Sequence, residues 1–319
     1  MPRLRDVPIA LRKAGPLELV QRVYDQVLED NVLVWASALA YSWLFSVFPF
    51  LISLLTLLPY MPDRQKQQVI GSINEVVKQL PATTAADLHG WVDFALNEKK
   101  GGLLSIGLLI TLWAASGGMS ATMTAIDRCY DIDTSRSFIR HRALAALLTI
   151  VAATLMFIVV ILLPVGGAVI QWLWTNSQQV LGWQLPTRWR VLLDIARWTL
   201  GLLLLMIVLN VVYHFGCQVK RRYRFLTPGA VFCVIAWVAM GLAFRFYVDQ
   251  FAVNGYYRTY GAIGSVVILL FLFYLAAIIL LVGAEINSEI DYVVFTVPRG
   301  TKDFRRLDVR HDEELDVAD

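Results

Sequence analysis

Apolar residues gather along this chain in six long windows, roughly 32 to 58, 102 to 126, 143 to 165, 191 to 214, 229 to 250 and 262 to 284, with shorter polar segments between them. Each window is near the ~20 residues that a helix needs to cross the hydrocarbon of a bilayer. A membrane barrel would show short alternating segments instead. The pattern therefore predicts an all-α polytopic membrane bundle of six transmembrane helices over residues 32 to 292. The first window starts some thirty residues in, is too long for a signal peptide and lacks a convincing cleavage site after it, so it reads as a retained span.

The polar segments carry patterns of their own. Within residues 1 to 31, "PLELVQRVYDQVLED" puts Leu17, Val20, Val23, Tyr24, Val27 and Leu28 on one helical face and Glu18, Gln21, Arg22, Asp25 and Glu29 on the other. Pro16 suits the first turn. Such a helix either lies in the membrane interface or packs on the ends of the spans. In the segment 60 to 101, Val69, Ile70, Ile73, Val76, Val77 and Leu80 keep helical spacing as far as Pro81, and "TAAD" then resembles a capping box. A small outer helical cap is expected there, either gating a cavity or packing on the spans. Residues 293 to 319 are polar, end in "DEELDVAD" and read as a mobile cytoplasmic tail.

Composition agrees with a membrane class: 57% of residues are hydrophobic and 17% charged, against roughly 25% charged in soluble domains. Mean hydropathy is +0.59. Lys and Arg are sorted along the chain. The segments that share a side with the N-terminus hold 18 of the 28, the opposite segments 8. By the positive-inside rule both termini are cytoplasmic. The net charge of +3 then faces an anionic leaflet and does not point to nucleic acid. Cys129, Cys217 and Cys233 have no pairing or metal-ligand spacing. The expected partners are membrane lipids, and no cofactor is implied.

Charge inside a span is costly and usually paired, or turned toward the bundle interior or water. Near the outer side, Asp194 and Arg197 sit three residues apart and Arg245 and Asp249 four apart, so each pair can meet on one helix face. They form either two interfacial ion pairs or a shared charged chamber. At the inner side lie Asp127 and Arg128, His214, and Glu285, Asn287 and Glu289. Ser105, Ser116, Ser120 and Asp127 share one stripe of the second span, beside Gly117, Gly118 and Ala121. Small residues and hydroxyls favour close helix packing; a polar track through the bilayer is the alternative. In the first span Asp30, Ser37 and Tyr41 share a stripe, as do Ser42, Ser46 and Ser53, with Pro49 as a kink site.

"GAEINSEI", residues 283 to 290, ends a window that carries no charge from Gly261 to Gly283. Tyr274, Glu285 and Glu289 fall on one stripe. If the helix ended there its macrodipole would disfavour these anions. A cationic partner is therefore expected, from Arg128 or from the "KRRYR" run at 220 to 224.

Three stretches together resemble the YihY/BrkB family of bacterial inner-membrane proteins: "ASALAYSWLFSVFPFLISLL", "PGAVFCVIAWVAMGLAFRFYV" and "TYGAIGSVVILLFLFYLAAIILLVGAEINSEI". The likeness covers about 20 to 292, and the stretch from Tyr260 to Asn287 is its most specific part. It implies an inner-membrane protein with six spans and cytoplasmic termini, and roles such as envelope integrity, resistance to killing, and lipid or solute transport. Family members have also been labelled ribonuclease BN. His89, His141, His214 and His311 are scattered, without the close His/Asp spacing of a metal nuclease, and no nucleotide loop or catalytic triad is visible. The expectation is a non-enzymatic protein that moves or accommodates a lipid-like or amphipathic anionic substrate. Arg197 and Arg245 would receive its head group, and the inner carboxylates would pair with cations or protons. The other reading is a non-transporting membrane scaffold.

Overall fold

In the computed structural model the described residues are Leu4, 6–57, Gln67, Gly71, 101–132, 136–181, 187–220, 223–247 and 257–301. All the elements among them are helices: α1 (Asp6–Ala14), α2 (Pro16–Glu29), α3 (Val32–Leu57), α4 (Gly101–Arg128), α5 (Phe138–Leu181), α6 (Thr187–Gly216), α7 (Pro228–Tyr247) and α8 (Tyr257–Phe295). Four of these hold stretches long and apolar enough to cross a membrane: Phe138–Val159, Arg188–Gly216, Pro228–Tyr247 and Val266–Phe295. The first two expected spans are helices of 26 residues (α3) and 28 residues (α4). Apart from Gln67 and Gly71, the outer cap expected over 60 to 101 lies outside the described residues, as does the tail beyond residue 301.

The helix α8 is the hub, packing against α3 and α7 along its length and against α1 and α2 at its end. The pairs α3 with α4, α5 with α6 and α4 with α5 complete the bundle. Glycines set the closest approaches. A side chain at Gly229 would collide with the Gly283 carbonyl, and one at Gly283 would collide with Cys233 Sγ. Similarly, Gly118 lets Ser46 of α3 come near enough for its Oγ to accept the Gly118 N–H at 3.1 Å. Backbones can meet this closely only where a Cβ is missing.

The largest buried cluster gathers at one end of the bundle, around Leu39, Ile126, Tyr130, Tyr213 and Leu281. This end also holds α1 and α2 and is called the basal end below. Farther along, α5, α6 and α7 expose Ile150, Phe157, Ile195, Trp198 and Leu242, as hydrocarbon-facing surfaces do.

A sharp corner with Gly15 at φ +80° joins α1 to α2, a conformation that glycine adopts without a steric cost. One face of α2 packs on α8 and its Gln26 is buried. The other exposes Leu17, Val20, Tyr24 and Leu28, with Leu17 at 82%. The helix therefore packs on the end of α8 with one face and leaves an apolar stripe exposed on the other.

The end of α8 differs from expectation. The helix does not stop near Glu285 but continues to Phe295, because Ile290 and Val294, with Ile286 and Val293, pack against Ala10, Val7 and Leu19 of α1 and α2. Over its 39 residues α8 is roughly 58 Å long. Its true C-terminus is met by Lys13, whose Nζ donates to the Val294 carbonyl at 2.7 Å and lies 3.4 Å from Thr296 Oγ1. The cation that the macrodipole calls for is therefore on α1.

Candidate functional site

The basal end is built on helix α8. Trp237 Nε1 donates to the Ala276 carbonyl at 3.1 Å, Cys233 Sγ to the Ile279 carbonyl at 3.2 Å and Tyr213 Oη to the Leu280 carbonyl at 2.6 Å. Polar side chains from α6 and α7 are thus satisfied by carbonyls that are already helical acceptors, which the second lone pair permits. About two turns further, Asn287 Oδ1 accepts the Gly229 N–H at 2.9 Å. This donor is among the orphan amides at the start of α7. Thr227 Oγ1 accepts the Ala230 N–H at 3.3 Å and donates to Asn210 Oδ1 at 2.7 Å. Asn210, Thr227 and Asn287 are all fully buried, and burial of such groups is tolerable because they satisfy one another.

Next to this knot lie the carboxylates. Glu285 is 0% exposed; Ser288 Oγ lies 3.3 Å from its Oε2, while Oε1 is buried with no hydrogen-bond partner. The neighbours that act on it electrostatically include Asp30, Cys129 and Glu289. The cation expected beside Glu285 sits on Glu289 instead, where Arg299 Nη2 meets Oε1 at 2.6 Å. The same guanidinium reaches Asp131 Oδ2 at 3.7 Å. Partial burial and the charge of Asp30 push the Asp131 carboxyl above its ordinary value, with Arg299 pulling the other way. Arg128, one of the two candidate partners of Glu285, is exposed.

Asp127 is also fully buried, and its two oxygens accept the Gln218 backbone N–H at 2.7 Å and Nε2 at 2.8 Å. This clamps the segment that leaves α6. Arg136 caps the same helix, donating to the Gly216, Cys217 and Phe215 carbonyls at 2.9, 3.0 and 3.4 Å, where a cation is favoured. Between the start of α5 and the end of α6 lies a cavity of about 430 Å³ lined by Arg136, Leu144, His214, Phe215, Gln218 and Lys220.

In the hydroxyl stripe of α4 the Ser116 hydroxyl is satisfied within its own helix, and the Ser105 side chain lies outside those described. Ser116 Oγ donates to the Trp113 carbonyl at 2.8 Å, and the Ser120 carbonyl accepts Thr124 Oγ1 at 3.1 Å and faces His141 Nε2 at 3.2 Å. Thr122 Oγ1 accepts Trp43 Nε1 at 3.0 Å across to α3. Beside it opens a second, almost wholly apolar cavity of about 370 Å³, whose walls include Trp43, Gly118, Thr149, Ala152, Val208 and Trp237. Ala153 and Met156 on its α5 side are exposed.

At the far end, Arg197 pairs with Asp194 at 3.1 Å and donates from Nη1 to the Leu163 carbonyl at 2.7 Å. Gly166 and Gly167 provide its slot, since a side chain at Gly167 would collide with the guanidinium. Arg245 is exposed on the last turn of α7, and Asp249 lies outside the described residues. Tyr260 is within α8, but its side chain lies outside those described, whereas Tyr274 is half-buried against the main core.

Several residues at the basal end escape sequence reasoning. Thr227, Gln218 and Arg299 sit in polar segments where a polar residue draws no notice, and Gln218 and Arg299 find carboxylates 91 and 10 residues away. Asn210, polar inside the apolar window 191 to 214, and Thr227, in a Thr-Pro pair at a helix start, carried local signals that went unread.

Comparison with known proteins agrees with these motifs. The family model described as Virulence factor BrkB matches residues 23–307. The chain is 37% identical over 253 residues to "Putative ribonuclease-like protein YfkH" of Bacillus subtilis (strain 168), covering 79% of this chain and 88% of that protein. No solved structure matches the chain. With its apolar membrane-length helices and a match that spans the whole bundle, the chain belongs to the BrkB family.

Proposed function

We propose that the chain is a six-span inner-membrane protein with cytoplasmic termini and a small helical cap over its outer side, and that it accommodates or moves a lipid-like, amphipathic anionic substrate in support of envelope integrity. The apolar cavity carries this reading. At about 370 Å³ it falls in the range of small-molecule sites, and the exposed Ala153 and Met156 give it a lateral edge on α5. An acyl chain meets those requirements.

The test is photo-crosslinking with a phospholipid carrying a diazirine on its acyl chain, mapped by peptide mass spectrometry in nanodiscs. Adducts on Thr149, Ala152 or Met156 that are lost in Ala152→Phe are the expected result. Adducts confined to the outward residues Leu147, Ile150 and Phe157, and unchanged in that variant, would overturn it.

A second reading, a membrane scaffold that transports nothing, draws support from the tying of Asp127, Asn287 and Glu289 to Gln218, Gly229 and Arg299. Each of these bonds joins segments in the manner of a structural contact. The name of the Bacillus relative raises a nuclease reading, to which the two described histidines lend nothing: His141 faces the Ser120 carbonyl and His214 packs edge-on against Phe215 and Tyr223.

A further inference from the structure

The two cavities lie one after the other along the same pair of helices. Leu144 lines the basal one and Thr149 the apolar one, five residues apart on α5 and so about 7.5 Å along its axis. On α6, His214 lines the first and Val212 the second. Between them stands a small buried cluster of Met123, Ala145 and Leu148. Met123 is the adaptable member of that partition, because an unbranched thioether repacks at little cost.

Their chemistry is opposite. The basal cavity presents Arg136, His214, Gln218 and Lys220. Asp127 is the nearby counter-charge, but it is fully buried with both oxygens held by Gln218, and Arg136 acts on it electrostatically. Lys220 is exposed. Around the mouth, Phe215 is exposed, and so are Phe138 and Ile139 at the start of α5, followed by Arg140. Basic pockets between membrane helices, flanked by aromatic and apolar residues at the interface, suit phosphate head groups.

We infer that the basal cavity binds the phosphate of an anionic phospholipid from the leaflet on the side of α1 and α2, with an acyl chain of the same lipid running past Met123 into the apolar cavity. This rests on the acyl-chain reading above and adds the polar end of the substrate. Lys220, which is exposed, supplies the donor that meets the phosphate, and Arg136, which stays on the carbonyls at the end of α6, adds its charge nearby. Arg197 is already occupied by Asp194 and the Leu163 carbonyl, which leaves this end as the better place for the head group.

The experiment is native mass spectrometry of the full chain released from nanodiscs of mixed phosphatidylglycerol and phosphatidylcholine. Lys220→Gln is the main variant, because Lys220 is exposed. One retained phosphatidylglycerol per chain is expected, with retention falling roughly tenfold in Lys220→Gln, as for loss of one charge-assisted hydrogen bond, and largely kept in Lys220→Arg. Leu144→Trp, which fills the cavity without altering charge, should lose retention as well. Unchanged thermal unfolding of each variant excludes misfolding. Equal retention of both lipids, or no response to Lys220→Gln and Leu144→Trp, overturns the head-group site; if diazirine adducts at Ala152 persist in those variants, the acyl-chain reading stands by itself. Protection by glycerol 3-phosphate with no lipid retained overturns the lipid as the source of the phosphate. Absence of both retained lipid and cavity adducts in the unaltered chain overturns both readings.

Discussion

Asn287 Oδ1 and the Gly229 backbone N–H meet at 2.9 Å, so a side chain of α8 caps α7. The cap acts between helices, and its loss strands a buried amide in a region that water does not reach. Asn287→Leu should therefore cost about 2 to 3 kcal/mol, more than the ~1 kcal/mol of an exposed cap. Thermal unfolding in detergent measures it, and a shift no larger than that of Asn176→Leu on the surface of α5 would refute the capping role.

Gly283 faces Cys233 Sγ, and Tyr213 Oη lies 2.7 Å from where its Cβ would stand. Gly283→Ala should lower stability by about 1 to 3 kcal/mol through overpacking. Gly241 has nothing within 4 Å of a Cβ, and Gly241→Ala should be neutral or slightly stabilising. The pair of unfolding midpoints checks the close approach, and similar shifts for both would contradict it.

Glu285 and Glu289 are both buried, and among the described residues Arg299 pairs with Glu289. Removing its charge leaves Arg299, 38% exposed, without that partner, and roughly 1 to 2 kcal/mol should be lost, less than for a fully buried pair. Glu285→Gln keeps the shape of a buried side chain whose electrostatic neighbours include Asp30 and should be close to neutral. In a double-mutant cycle, Glu289→Gln with Arg299→Gln should fall short of the sum of the singles. Strict additivity would dismiss the ion pair.

Asp131 provides a pH readout outside the spans. Its carboxyl is raised from 3.8 by burial and by Asp30, so the folded chain holds that proton more tightly than the unfolded chain. The contribution of this group to stability is fullest below 3.8 and is lost as pH rises through the raised value. Asp131→Asn should therefore flatten the midpoint-versus-pH curve between neutrality and about pH 4. A curve parallel to that of the unaltered chain would rule out the shift.

The membrane-length helices were legible in the sequence because apolar continuity is a local property. So was the importance of Gly118, since small residues inside an apolar window announce a close approach; Gly283 passed unread. The partners were not legible. Asp127 finds Gln218, 91 residues away. Arg299 reaches Glu289 because the chain turns at Thr296, with φ +53°, beyond a helix end that polarity alone placed ten residues too early. Carboxylates read as the end of a span were interior residues of α8, covered by α1 and α2, because an amphipathic cover lets a helix carry charge without meeting water.

Helix α8 also works as a ruler. Tyr213 of α6 holds it at the Leu280 carbonyl and Gly229 of α7 holds it through Asn287. Seven residues separate the two marks, about two turns or 10.5 Å, so both lie on nearly the same face. One inserted or deleted residue between them would rotate Asn287 by about 100° away from α7 while Leu280 stayed in place. The spacing from Leu280 to Asn287 is thus fixed by the separation of two neighbouring helices, and a change of length here should break a contact that no repacking of side chains restores.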